Sequence, residues 1–273
     1  MPQGPADGRE ALRAAMYGAD DLSSFALFSG SYINFGYWDR GGHGLADPLT
    51  VAERTLSQQD MYRAVAERLD IGPGHRLLEA GCGIGVGAAL VLNEFAPAAV
   101  YGVDLSGEQV DRAWRVNTTT LEAHPGRLGF QRASALDLPW PDSSFDAVYS
   151  VEAAQHFDDL ARFAAEARRV LRPGGRLAVA TFFATGEGGG AALAELIETV
   201  RSGVDVLHPV AGFTADLRAA GFTGVRADAI GEHVWPYFDA WIAHTEYRDT
   251  WGRNWLRAYR EGLVDYHLVT ATG

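Results

Sequence analysis

The sequence predicts an α/β fold: a mostly parallel sheet with helices on both faces. Three observations predict it. Five runs in the middle of the chain are apolar along their whole length, as in strands buried on both faces. Helical segments lie between most of them, as parallel pairing requires. The first run enters its helix through three alternating glycines, Gly81, Gly83 and Gly85, in "LLEAGCGIGVGAAL" (77–90).

The elements follow in order. Residues 1–20 are polar and compatible with a helix. Residues 21–60 crowd Phe25, Phe28, Tyr32, Phe35, Tyr37 and Trp38 around glycines. "PLTVAERTLSQQDMYRAVAERLDI" (48–71) has the spacing of an amphipathic helix. The strands are then "HRLLEAG" (75–81), "VYGVDLS" (100–106), "LGFQRAS" (128–134), "FDAVYSV" (145–151) and "RLAVATFF" (176–183). Helices are expected over 107–123 and 160–171. "LRPGG" (171–175) ends the latter and turns into the fifth strand. Further on, "FTADLRAAGF" (213–222) reads as helix, "GVRADAI" (224–230) and "DYHLVTATG" (265–273) as strands, and 235–262 as helical with four tryptophans. That makes seven strands in one domain, with a helical, aromatic-rich cap built from both ends.

Composition narrows the function. The chain has 273 residues, 47% of them hydrophobic, enough for a full core. The formal net charge is −12, and all 23 basic residues are Arg. An acidic chain without a basic run is a poor partner for nucleic acid or anionic membranes. The single cysteine, Cys82, forbids an internal disulfide, and no Cys/His cluster has zinc-ligand spacing. The N-terminus lacks a basic-then-apolar signal, and no apolar run is long enough to span a bilayer. The expected setting is a reducing cytoplasm. Homo-oligomerisation is left open.

A glycine turn between strand and helix exposes backbone N–H groups to a ligand. Asp104 ends the next strand, where a carboxylate can accept both hydroxyls of a ribose. A nucleoside-containing ligand is implied. "GIGVGA" (83–88) also fits the dinucleotide pattern G-x-G-x-x-A, but about 74 residues precede this strand. Glu79 would repel a pyrophosphate and suits a cationic ligand with an amino group and a sulfonium.

"LLEAGCGIG" resembles the first motif of class I S-adenosylmethionine-dependent methyltransferases. "YGVDLS", "ASALDLPWPDSSFDAVYSVEA" and "LRPGGRLAVATF" resemble that family's later blocks, in order over about 75–183. "YINFGYWD" is similar to a segment of small-molecule methyltransferases in antibiotic pathways, sugar O-methyltransferases especially. The resemblance implies a Rossmann-like sheet, with S-adenosylmethionine as cofactor. It divides the chain into a helical lid (about 1–70), a cofactor-binding core (about 71–183) and a substrate cap with the final strands (about 184–273).

The resemblance also implies site residues. Glu79, Gly81 and Gly83 match the positions that hold the methionine end of the cofactor. Asp104 and Leu105 match the ribose contacts, with Gln109 nearby. Ser134, Ala135 and Leu136 fall where the family contacts adenine, with Ser134 in place of the usual Asp. Tyr17 and Asn34 match front-end positions that close over the cofactor. The aromatics at 25–38 are expected as a lid over the sulfonium, with core packing as the alternative. Trp235, Trp241, Trp251 and Trp255 are expected either to line an acceptor pocket or to pack a cap.

His156 follows strand four and is the candidate general base for an acceptor hydroxyl. Some sugar O-methyltransferases pair it with an Asp at the end of strand five, where this chain has Thr181. Glu152 could position the acceptor or cap a helix. No metal is implied. The expected function is methyl transfer to a small-molecule acceptor, O-methylation first and C- or N-methylation next. The alternatives are a cyclase or binding protein of the same fold, and then a nicotinamide-dependent reductase.

Overall fold

The computed structural model describes residues 28–38, 44–186 and 189–273. Tyr17 and Phe25 lie outside them. Seven strands form one sheet in the order β3-β2-β1-β4-β5-β7-β6. They are β1 (Arg76–Ala80), β2 (Ala99–Asp104), β3 (Leu128–Arg132), β4 (Phe145–Val151), β5 (Leu171–Ala184), β6 (Thr223–Ala229) and β7 (Val264–Thr272). The first five pair in parallel. β7 runs antiparallel between β5 and the exposed edge strand β6. All seven expected strands are present.

Alternation along each strand splits the core in two. Leu77, Tyr149 and Ala178 face one side of the sheet. Leu78, Val148, Leu177 and Val179 face the other. On the first side lie α1 (Val51–Glu67), α2 (Val86–Phe95) and α3 (Gly107–Val116). Thr50 and Glu53 form a capping box that fixes the start of α1.

The single helix expected over 107–123 is two, α3 and α4 (Thr118–Ala123). Asn117 stands at the break. Its Nδ2 donates to the Ala113 carbonyl at 2.8 Å and to the Ile84 carbonyl in the glycine turn at 2.9 Å. Here a side chain that bonds backbone ends the helix and pins the loop. The second side of the sheet carries α5 (Leu160–Val170). Beyond β5 come α6 (Gly189–Leu196), α7 (Glu198–Ser202) and α8 (Val210–Ala219), the last of which packs on α5.

The expected helical region 235–262 holds α9 (Trp235–Ala243) and α10 (Asn254–Arg260). Its tryptophans pack a cap. Trp235 and Trp255 stack with centroids 5.2 Å apart, Trp241 is buried, and Trp251 is partly exposed. Phe35 inserts into the same cluster, 4.6 Å from Phe238 and 5.1 Å from Trp235.

Arg54 of α1 is fully buried under this front segment. Its guanidinium donates to the carbonyls of Asn34 (2.7 Å) and Phe35 (3.1 Å) and lies over the Trp38 and Phe238 rings. An irregular segment in a core must find partners for its carbonyls, and one arginine supplies two. Burial lowers its pKa to about 9, opposed by the Glu152 charge.

Candidate active site

The strand order reverses between β1 and β4, where a doubly wound sheet opens a crevice at its carboxyl ends. A cavity of about 580 Å³ lies there. The glycine turn forms its floor. Gly81 N and Cys82 N donate to the Val103 carbonyl at 2.8 and 2.9 Å, tying the turn to the end of β2. All three glycines have positive φ, a conformation that side chains rarely adopt. A Cβ on Gly81 would sit 2.2 Å from the Ala153 Cβ, and one on Gly85 2.3 Å from the Phe130 ring. A Cβ on Gly83 would meet no protein atom within 4 Å. Its backbone opens directly on the cavity.

Asp104 faces this turn. Its carboxylate accepts from Gly83 N and Ser106 N, both at 2.9 Å. Burial raises its pKa, and the two N–H donors oppose the rise. Beside it, Leu105 and Gln109 line the cavity, Leu105 half-exposed and Gln109 buried. Ser134, Ala135 and Leu136 form the far wall. The Ser134 Oγ already accepts from Leu136 N at 3.1 Å, which leaves its hydroxyl proton to donate.

Glu79 sits behind the floor, with no exposed surface, and is not part of the wall. Its Oε2 accepts from the Tyr149 hydroxyl at 3.3 Å, and its Oε1 has no hydrogen-bond partner. Burial pushes its carboxyl up to about 8, against the pull of the Tyr62 and Tyr149 hydroxyls. Tyr62 of α1 does line the cavity, and its ring lies 2.0 Å from where a Cβ on Gly87 would be. Only glycine lets the two helices meet there.

His156 ends a short 3-10 turn (Ala154–His156) after β4 and faces the cavity. Its Nδ1 lies 3.1 Å from the Val204 carbonyl and 3.2 Å from the Asp205 carboxylate. Its Nε2 lies 3.4 Å from Gln155 Nε2. Glu152 is also in the wall, with a strained φ of 46°. It accepts from Phe35 N at 2.6 Å and from the Tyr266 hydroxyl at 2.9 Å, and burial pushes its carboxyl up to about 8.

Nine of the twelve residues expected in the cofactor and base sites therefore meet around one cavity, Gly81, Gly83, Asp104, Leu105, Gln109, Ser134, Ala135, Leu136 and His156, and Glu152 joins them. Asn34 does not reach the wall. It is buried, donates to the Gln58 carbonyl at 3.1 Å and accepts from Gly36 N at 2.9 Å. The described aromatics of the front segment do not line the cavity either; Ser31 and Ile33 do. Sequence reasoning did not find Ser31, Ile33, Tyr62 or Asp205. The alternation of 31–38, with every second residue buried, shows only in the structure which side chains face outward. Among the described residues, no group of three or more His, Cys, Asp or Glu could hold a metal ion. No described helix is long and apolar enough to cross a membrane.

A doubly wound sheet that opens at its switch point on a glycine turn and a ribose-type acid belongs to the nucleoside-cofactor enzymes. Comparison with known proteins gives the family. Residues 78–179 match the methyltransferase domain model. The chain is 34% identical over 209 residues to 27-O-demethylrifamycin SV methyltransferase of Amycolatopsis mediterranei, covering 76% of this chain and 72% of that one. It is 32% identical over 237 residues to erythromycin 3''-O-methyltransferase of Saccharopolyspora erythraea, covering 82% and 72%. The fold also matches geranyl diphosphate C-methyltransferase from Streptomyces coelicolor A3(2) (TM-score 0.80, 19% identical, 99% of both chains).

The chain belongs to the methyltransferases, the family whose resemblance in sequence implies S-adenosylmethionine as cofactor. The residues present fit it. Gly83 leaves open the space a Cβ would fill, and the orphaned Glu79 Oε1 is an acceptor suited to an ammonium group.

Proposed function

We propose that the chain O-methylates a hydroxyl of a small natural-product acceptor, with His156 as general base. Both relatives named above carry O-methylation in their names. The observation that carries the reading is the placement of His156 on the cavity wall, with Nδ1 turned toward two acceptors. That leaves Nε2, 3.4 Å from the Gln155 amide nitrogen, as the nitrogen whose lone pair can take a proton.

When bound, S-adenosylmethionine supplies an electrophilic methyl carbon whose bonding pair stays on sulfur. Gly81 and Gly83 offer backbone, Glu79 a carboxylate for the ammonium, and Asp104 its carboxylate for the ribose hydroxyls. Leu105 bounds the ribose with Gln109 nearby, and Ser134, Ala135 and Leu136 bound the adenine end. His156 Nε2 takes the acceptor proton as the acceptor oxygen attacks, a service worth about 10²–10⁴-fold in rate. Ser31 and Ile33 of the front segment and the cap after residue 184 shape the acceptor end.

The test is incubation with S-adenosylmethionine and a panel of macrolide, ansamycin and glycosylated hydroxyl acceptors, with S-adenosylhomocysteine and methylated product measured together. Stoichiometric methyl ether formation supports the reading. Methylation only at carbon or nitrogen, or acceptor conversion without S-adenosylhomocysteine, refutes it.

A further inference from the structure

We infer that Asp205 is the positioning residue for His156, holding the imidazole in the tautomer that keeps a lone pair on Nε2. This rests on the reading of His156 as the base.

Thr181 occupies the strand-five position where a carboxylate partner was sought, so the sheet supplies none there. The carboxylate comes instead from the cap. Asp205 lies in the turn after α7, where Gly203 takes a left-handed φ of 77°. The turn is clipped at both ends. Asp205 N donates to the Thr199 carbonyl at 3.0 Å, and Val206 N donates to the Gln155 carbonyl at 2.7 Å. The second bond joins it to the 3-10 turn that carries His156. Asp205 is buried, with its Oδ1 3.2 Å from His156 Nδ1. Among the described residues, His156 is the basic side chain beside this carboxylate. A buried carboxylate is costly unless paired, so a pairing this close is a constraint on both groups.

Contacts on both ring nitrogens agree on one tautomer. At Nδ1 the Val204 carbonyl and the Asp205 carboxylate can only accept, so Nδ1 carries the hydrogen. At Nε2 the neighbour is the Gln155 amide. Thr181 Oγ1 donates to Gln155 Oε1 at 2.7 Å, and Gln155 Nε2 donates to the Glu152 carbonyl at 2.9 Å. These bonds orient the amide so that its nitrogen faces His156 Nε2, which requires a lone pair there. Thr181 thus acts on the same imidazole from the other side. When Nε2 takes a proton, the Asp205 carboxylate is in place to stabilise the imidazolium.

The experiment is long-range ¹H–¹⁵N correlation on histidine-labelled protein saturated with S-adenosylhomocysteine, under conditions where the ring is neutral. In the wild type, His156 should show a protonated Nδ1 and a bare Nε2. A dominant Nε2–H form in the wild type overturns the inference without any variant. Asp205→Asn presents an amide donor to Nδ1 and should shift a large share of the ring to the Nε2–H form. Asp205→Glu should restore the wild-type tautomer. An unchanged tautomer in Asp205→Asn means the Val204 carbonyl suffices, and overturns the inference. Turnover on an acceptor from the panel should fall by about 10²–10⁴-fold in Asp205→Asn with KM nearly unchanged, as for a base in the wrong tautomer. If His156→Ala keeps full turnover while Asp205→Asn still flips the tautomer, the base reading fails and the positioning of the ring stands.

Discussion

Glu79→Gln separates a carboxyl that binds the cofactor from one that only fills the core. In the ligand-free protein burial holds the Glu79 carboxyl at about 8. At about pH 7 roughly one copy in ten is then ionised. The methionine end of the ligand carries an ammonium, which pairs with the ionised form. Binding should therefore expel close to one proton per ligand at neutral pH. The sign follows from the raised value: affinity increases as pH rises toward 8 and falls as pH drops below it. Each pH unit below 8 costs about tenfold, or about 1.4 kcal/mol. Calorimetry with S-adenosylhomocysteine at about pH 6 and pH 7, in buffers of different ionisation heat, reads both effects while the ligand stays charged. Glutamine cannot ionise. Glu79→Gln should abolish most of the pH slope and the proton release, and should weaken binding near pH 8 by about 1.5–3 kcal/mol. The comparison also isolates Glu79 from Glu152, whose carboxyl lies near the same value. Equal wild-type affinity at the two pH values, with no buffer-dependent heat, would refute the reasoning.

Three further predictions address neighbouring parts. Asp104→Ala should weaken S-adenosylhomocysteine by about 1–3 kcal/mol, the cost of lost hydrogen bonds to a charged group, with little effect on any NADP binding. Gly83→Ala should lower cofactor affinity, because the new methyl enters the cavity and not protein, and also lower melting temperature, because alanine is strained at its φ of 50°; a fall in melting temperature at unchanged affinity would contradict the first expectation. Arg54→Met should cost about 2–5 kcal/mol in urea unfolding, since it strands the Asn34 carbonyl in the core and leaves the Phe35 carbonyl only its Trp38 donor, and should speed hydrogen exchange in residues 32–38. A near-neutral result would mean the front segment holds itself in place.

The sheet was legible because its strands are apolar along both faces, a pattern few other elements share. The glycine turn was legible for a stronger reason: three positive φ values in five residues allow little else at those positions. The Asn117 break was not, because its cause is a bond to Ile84, 33 residues away. Asn34 illustrates a different limit. Its side chain serves Gln58 and Gly36, and a neighbour with no motif value, Ile33, takes the wall. The front aromatics carry no signal of direction, so only packing shows that Phe35 joins Trp235 and Phe238 rather than a ligand. Asp205 was invisible as a partner of His156, since the two meet only when the cap folds back over β4.

Single-turnover methyl transfer by His156→Ala, with a hydroxyl acceptor that the wild type methylates, tests the central claim most directly. The reading has the residue facing the acceptor, and Thr181 is committed to Gln155, so strand five supplies no replacement base. The rate should fall by about 10²–10⁴-fold, with S-adenosylhomocysteine affinity nearly unchanged and the ascending limb of the pH–rate profile lost. Undiminished turnover with an unaltered pH profile would contradict the account and leave His156 as a strut between β4 and the cap.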